Sequence, residues 1–241
     1  MSQNASASKK SRTPRLTRTM LAYLLFLALF FWAAVRYGRS SYLLLSFLLI
    51  AGSLLFFFFT FEHRRPQARE LVIVAVFVVF AVIGRVALFM LPQFKAMAAL
   101  VILSGIVLGA ESGFLVGALS ALVSNIFFTQ GPWTLWQMLG FGLLGFLAGC
   151  LYRAGWLKKN RIALSVFGFL SVWLLYGGIM NASSVVMFTS SFSFKAFLAM
   201  MVSSAPADFI HALATVFFLN LFSHTVFQQM HRLKTKYQIF E

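Results

Sequence analysis

Six side chains able to ionise or to hydrogen-bond strongly stand inside otherwise apolar stretches: Arg85, Asn125, Gln137, Asn181, Asp208 and His211. An ionisable group in a bilayer costs about 2.5 to 3.5 kcal/mol on insertion scales unless it finds a partner or water, so residues of this kind point to binding or transport. An Arg85 to Asp208 ion pair is the simplest satisfaction of both charges, whether it lines a site or only locks two helices together. His211 follows Asp208 by three residues, on the same helix face, and is the alternative hydrogen-bond partner of the carboxylate.

A second constellation runs from Phe127 to Gln137. Its Gly131-Pro132 pair forces a turn, with Trp133 and Trp136 beside it. Such tryptophans make either an aromatic belt at a membrane interface or the wall of a site for a flat, ring-bearing ligand. Gln130 and Gln137 add polar contacts that a belt does not need. The segment from Asn181 to Lys195, rich in Ser, Met and Phe, is expected to be a loop that could cap the same place. A third feature is a ladder of small residues, Gly105, Gly109, Gly113 and Gly117, continued by Ala121 and echoed by Gly145 and Gly149. Small residues at this spacing let helix backbones approach closely, either within the molecule or as a face that docks a partner.

Other chemistries are disfavoured. No G-x-x-x-x-G-K-[ST] run occurs, so ATP hydrolysis by the chain itself is not expected. Neither a G-x-S-G serine nor an H-E-x-x-H pair is present, which argues against rhomboid-type and metallopeptidase activity. Five acidic residues are too few for a carboxylate metal cage, and the single cysteine, Cys150, excludes an intramolecular disulfide and a four-cysteine zinc site. No ion-channel filter or charged ring is evident. A binding or transport protein remains.

The elements that must position these residues are membrane helices. In 241 residues, 61% are apolar and 10% charged, with thirty phenylalanines, a composition foreign to soluble folds. Stretches near 19–35, 41–61, 70–91, 97–110, 113–129, 134–152, 162–180 and 204–226 approach the length of about twenty residues that a crossing needs. They predict an all-α integral membrane protein with eight transmembrane helices. Glu111 and Ser112 alone break the fourth from the fifth, and a single long buried helix is the alternative there.

The net charge of +15 is explained by topology. With both termini cytoplasmic, fifteen of the twenty Lys and Arg residues fall on cytoplasmic segments, as the positive-inside rule requires. Nucleic acid is therefore not an expected partner. The same topology places all six intramembrane polar residues in the outer third of the bilayer, which predicts a polar cavity open to the outside. The expected organisation is a disordered basic tail at 1–18, an accessory transmembrane hairpin facing lipid at 19–66, a six-helix core at 67–230 and a basic cytoplasmic tail at 231–241.

From about Arg69 onward the chain resembles the substrate-binding S components of energy-coupling factor (ECF) vitamin transporters. The likeness is carried by Gly117-Ala118-Leu119-Ser120-Ala121-Leu122-Val123-Ser124-Asn125, by the Gly131-Pro132-Trp133-Thr134 turn leading to Trp136-Gln137-Met138, by Gly145 to Gly149, and by Pro206-Ala207-Asp208-Phe209-Ile210-His211. The resemblance implies a six-helix core that captures a vitamin-class micronutrient near the outer face of the plasma membrane. It also implies as partners a membrane coupling subunit and two cytoplasmic ATPase subunits, which would use the ATP; the chain is expected to be no enzyme and to carry no cofactor of its own. In the family a small-residue face on the first core helix docks the coupling subunit. Here that position reads Ala75 to Val79, a departure from the pattern that leaves Gly105, Gly109, Gly113 and Gly117 as a second docking candidate. Arg85, Asn125, Gln130, Trp133, Trp136, Gln137, Asn181, Asp208 and His211 are the expected substrate-binding residues, and the tryptophans and methionines favour a large ring system such as a corrinoid. A membrane scaffold that binds a partner helix, and a self-sufficient secondary transporter, are the alternatives. The absence of an evident internal repeat disfavours the latter.

Overall fold

The computed structural model describes residues 42–63, 67–189 and 192–237. The first expected membrane stretch, the N-terminal tail and the arginines at 64 and 65 lie outside the described residues. Within them the protein is all helical, with no strand. Seven helices follow one another: α1 Tyr42–His63, α2 Ala68–Val86, α3 Met97–Leu108, α4 Ala110–Phe128, α5 Trp133–Arg153, α6 Arg161–Phe188 and α7 Phe194–Tyr237. By length and composition, α4, α5, α6 and α7 can each cross a membrane. The 12 residues of α3 rise only about 18 Å, and α2 carries Arg69, Glu70 and Arg85.

The break at Glu111 and Ser112 is a full reversal. Gly109, at φ 103°, ends α3 and starts α4 with no residue to spare. A side chain there would meet the left-handed backbone penalty that glycine escapes. The chain turns so sharply that Gly113 on α4 comes back against Gly105 on α3. A methyl group on Gly113 would lie 2.5 Å from the Gly105 Cα, and one on Gly149 of α5 would lie 2.5 Å from the Ala110 Cα. Gly117 faces the Phe141 and Gly142 backbone in the same way. The backbones of α3, α4 and α5 thus meet directly, and α4 with α5 forms the most extensive interface of the bundle. The glycine ladder is consequently an internal seam. Gly105, Gly113 and Gly117 are buried and Gly109 is the turn, so the expectation that these four dock a partner is corrected.

Three further elements differ from expectation. The described helix of the hairpin, α1, does not simply face lipid. Ile50, Leu54, Phe57 and Phe61 are buried while Leu48, Leu55 and Phe59 are exposed, and Phe57 stacks on Phe114 with ring centroids 3.8 Å apart. The segment from Asn181 is mostly not a loop, because α6 continues to Phe188 and α7 begins at Phe194. Residues 231–237 of the expected tail are the last turns of α7.

Two irregularities sit in facing helices. A wide π turn at Ser171–Tyr176 interrupts α6, and α7 contains Pro206, whose missing N–H removes one rung of the helix ladder. Such π turns gather at functional sites.

The seam gives a direct test. Gly113→Ala would press a methyl group into rigid backbone and is expected to lose at least about 1 to 3 kcal/mol, read as a lower unfolding temperature in detergent. Gly178→Ala is the control, since nothing lies within 4 Å of its new methyl group; it should unfold as wild type does.

Candidate functional site

Most of the expected polar side chains enter one of two networks, the first of them where α2 and α4 finish and α5 begins. In the first, Arg85 Nη1 donates to Ser124 Oγ at 2.5 Å and to Asn125 Oδ1 at 2.9 Å. Asn125 Nδ2 donates in turn to Thr134 Oγ1 at 3.0 Å and Gln137 Oε1 at 2.8 Å. Thr134 Oγ1 donates to Gln130 Oε1 at 3.0 Å, and Gln130 Nε2 closes the chain on the Leu122 carbonyl at 2.9 Å. The direction of donation is consistent from the guanidinium onward. The Arg85 head also lies over the Phe128 ring, 4.6 Å from its centroid, a favourable place for a cation.

Local sequence explains this geometry. Arg85 is in the last turn of α2, where a cation suits the helix dipole. Ser124 and Asn125 lie on the buried side of α4, one turn before its end. The Gly131-Pro132 turn starts α5 at Trp133 and sets Thr134 and Gln137, three residues apart, on one face. Beyond α2, Lys95 Nζ donates to the carbonyls of Leu88, Phe89 and Leu91. Burial and the nearby Arg85 charge hold its ammonium below the usual lysine value.

The second network joins α6 to α7. Asp208 Oδ2 accepts from Ser204 Oγ at 2.6 Å and from Asn181 Nδ2 at 3.2 Å, and Asn181 Nδ2 also donates to Ser204 Oγ at 2.8 Å. Gly177 makes room for the carboxylate: a methyl group there would lie 3.1 Å from Asp208 Oδ2. His211 is buried, edge-on to Tyr176 with centroids 5.2 Å apart.

Tyr176, which the sequence did not single out, stands between the two networks. Its ring packs over Gly140, one turn beyond Gln137, and against Phe141 at 4.4 Å between centroids.

The expected residues therefore assemble, but with other partners. Arg85 and Asp208 form no ion pair, since α2 turns Arg85 toward α4 while α6 and the preceding turn of α7 claim Asp208. His211 packs on aromatic rings and makes no hydrogen bond to Asp208. Trp133 is 36% exposed and folds over Gly131. Trp136 is half-buried, with an indole N–H that finds no partner among the described residues. Ser124, Thr134, Ser204 and Tyr176 were missed as site residues. The spacing of Ser204, four before Asp208 on a helix, was the available signal.

Ala75 and Val79 lie on the exposed face of α2. At the opposite end of the bundle, a cleft of about 110 Å³ is lined by Ile106, Val107, Tyr152, Lys159, Phe227, Met230 and His231; none of the expected substrate-binding residues lines it. No group of three or more His, Cys, Asp or Glu able to hold a metal occurs among the described residues.

Removing the amide that links α2, α4 and α5 should be costly. Asn125→Leu leaves donors and acceptors on Arg85, Thr134 and Gln137 unpaired, an expected loss of about 1 to 3 kcal/mol measured by thermal unfolding. The neighbouring Ile126→Leu, at a position 70% exposed, should be neutral in the same assay.

Comparison with known proteins agrees with the resemblance. The family model for the substrate-specific component of ECF transporters matches residues 69–226. Two UPF0397 proteins of Aliivibrio fischeri, from strains MJ11 and ATCC 700601 / ES114, are each 27% identical over 170 residues, covering 64% of this chain and 90% of the relative. No solved structure matches.

Proposed function

The chain belongs to the family of ECF transporter substrate-specific components, and we propose that it captures a vitamin-class micronutrient at the two polar networks for an ATP-driven importer. Members of this family are multi-pass membrane proteins and substrate-binding transport subunits rather than enzymes, and they associate with a coupling subunit and ATPases. For this chain the partners would be one membrane coupling subunit and two cytoplasmic ATPase subunits, with ATP consumed there and no cofactor held here.

The observation that carries the proposal is the pair of hydrogen-bonded networks, Arg85 with Asn125 and Gln137, and Asn181 with Asp208, with Tyr176 between them. With both termini cytoplasmic, the end where α2 and α4 finish faces outward. Charged groups at such depth are expensive, and a network that only held helices together would not need a cation and a carboxylate without ionic partners. Trp133 and Gln130 on the α4–α5 turn would border the entrance, and Trp136 and His211 would support the interior. A corrinoid remains the favoured large-ring ligand on the strength of the aromatic and methionine content. The exposed α2 face around Ala75 and Val79 is the proposed docking surface for the coupling subunit.

Native mass spectrometry of the gently purified protein, with whatever subunits copurify, tests the proposal. A retained vitamin-sized mass together with ATPase subunits is the expected result. A protein that stays ligand-free when offered vitamins and corrinoids, and that brings down an unrelated membrane protein, would instead indicate a scaffold.

A further inference from the structure

Both networks leave part of their hydrogen-bonding capacity unused, and the unused part has a polarity. Arg85 commits only Nη1, and its Nε and Nη2 donate to no described residue. Gln137 accepts through Oε1, and its Nε2 donates to no described residue. Asp208 accepts its two hydrogen bonds on Oδ2, and its Oδ1 accepts none from a described residue. The Tyr176 hydroxyl and the His211 ring nitrogens likewise bond to no described residue. The sealed side-chain polar atoms that lack a partner among the described residues are Ser120 Oγ and Trp136 Nε1. The free atoms of Arg85, Gln137, Tyr176, His211 and Asp208 are not among these sealed atoms.

These atoms form one locus. His211 lies one turn after Asp208, and its ring meets Tyr176. Tyr176 precedes Gly177, which opens onto the Asp208 carboxylate, and packs over Gly140, which lies one turn beyond Gln137. The α2 side of this locus offers donors and positive charge through Arg85. The α7 side offers a carboxylate oxygen. A half-buried cation and a half-buried anion that are both available, but not to each other, select a ligand with the complementary ends.

We infer that the ligand is dipolar: an anionic oxygen group meets Arg85 and Gln137, N–H donors or a cationic group meet Asp208, and the Tyr176 hydroxyl contacts the body of the ligand between them. This assigns Tyr176 to the binding site and rests on the two networks being the ligand site. A ligand with only one kind of end would leave either the guanidinium or the carboxylate desolvated and unpaired, a penalty that discriminates strongly between related molecules.

The test is equilibrium binding to the purified full chain, with five probes. Biotin, folate and cyanocobalamin each carry an anionic group together with N–H donors, whereas thiamine and riboflavin carry no anionic group. Binding is expected only among the first three, and Arg85→Gln and Asp208→Asn should each weaken it about tenfold or more, the size of one lost charged hydrogen bond. Tyr176→Phe keeps the ring that packs on Gly140 and so preserves the fold; it should weaken binding about three- to tenfold with an unchanged unfolding temperature. Binding of thiamine or riboflavin alone, or wild-type affinity in both charge variants, would overturn the dipolar assignment while leaving the capture function standing. Wild-type affinity in Tyr176→Phe would remove Tyr176 from the site. If none of the five probes binds and no small molecule copurifies, the ligand site itself is refuted, and the inference with it.

Discussion

Direct backbone contact among α3, α4 and α5 is the constraint on which the rest of the structure depends. In lipid there is no hydrophobic force to gather helices, so association rests on van der Waals packing and interhelical hydrogen bonds. Gly105, Gly113, Gly117, Gly145 and Gly149 supply the first by removing every side chain from the contact. Gly109 supplies the reversal that sends α4 back along α3. Once α4 and α5 lie this close, Asn125 on one is within reach of Thr134 and Gln137 on the other. The polar network at one end is thus a consequence of the glycine seam along the length of the helices. The opposite end is tied differently, with Ser112 Oγ donating to Glu70 at 2.9 Å where α2 and α4 begin.

The seam is rigid, while the helices around the second network are irregular. The π turn in α6 and Pro206 in α7 lie beside the side chains that hold Asp208. A helix that departs from the i to i−4 pattern redirects side chains and frees backbone carbonyls, and here it turns Tyr176 and Gly177 toward α7. One wall of the site is therefore built on close-packed backbone and the other on helices with interrupted ladders. That asymmetry suits a subunit that must hold a ligand and later release it, because the low-stability elements of a protein are the ones that move.

Much of this was legible in the sequence, and the failures have physical causes. Hydropathy alone located the stretches that became α2 to α7, because the apolar runs and their polar breaks are long compared with a helical turn. Depth along α2, α4 and α5 could also be read, and Arg85, Asn125 and Gln137 lie within one or two turns of helix ends. The last helix begins at Phe194 rather than near residue 204, so Asp208 and His211 stand about four to five turns along it instead of in its first turns. Azimuth could not be read. Charge attraction suggested that Arg85 and Asp208 pair, but the face that α2 turns toward α4 is decided by long-range packing, and Arg85 went to Ser124 and Asn125. The glycine spacing announced a close approach without saying to what, and its partner proved to be α5. Ser183 and Ser184 made the stretch after Asn181 resemble a loop. Their hydroxyls instead bond back to the Met180 carbonyl within the helix, an arrangement that composition does not reveal. Tyr176 was overlooked because its direction depends on a π turn for which the sequence gives no pattern.

The central claim is that ligand binds at the Arg85 end and not in the cleft at the other end, and cysteine protection tests it most directly. Cys150, the one cysteine, is buried, so a Cys150→Ala background permits single cysteines at Trp133, beside the first network, and at Lys159, in the opposite cleft. Maleimide labelling would be followed with and without the small molecule that copurifies. The account predicts that the ligand slows labelling at position 133 and leaves position 159 unchanged. Protection at 159 alone, or at neither, would contradict it.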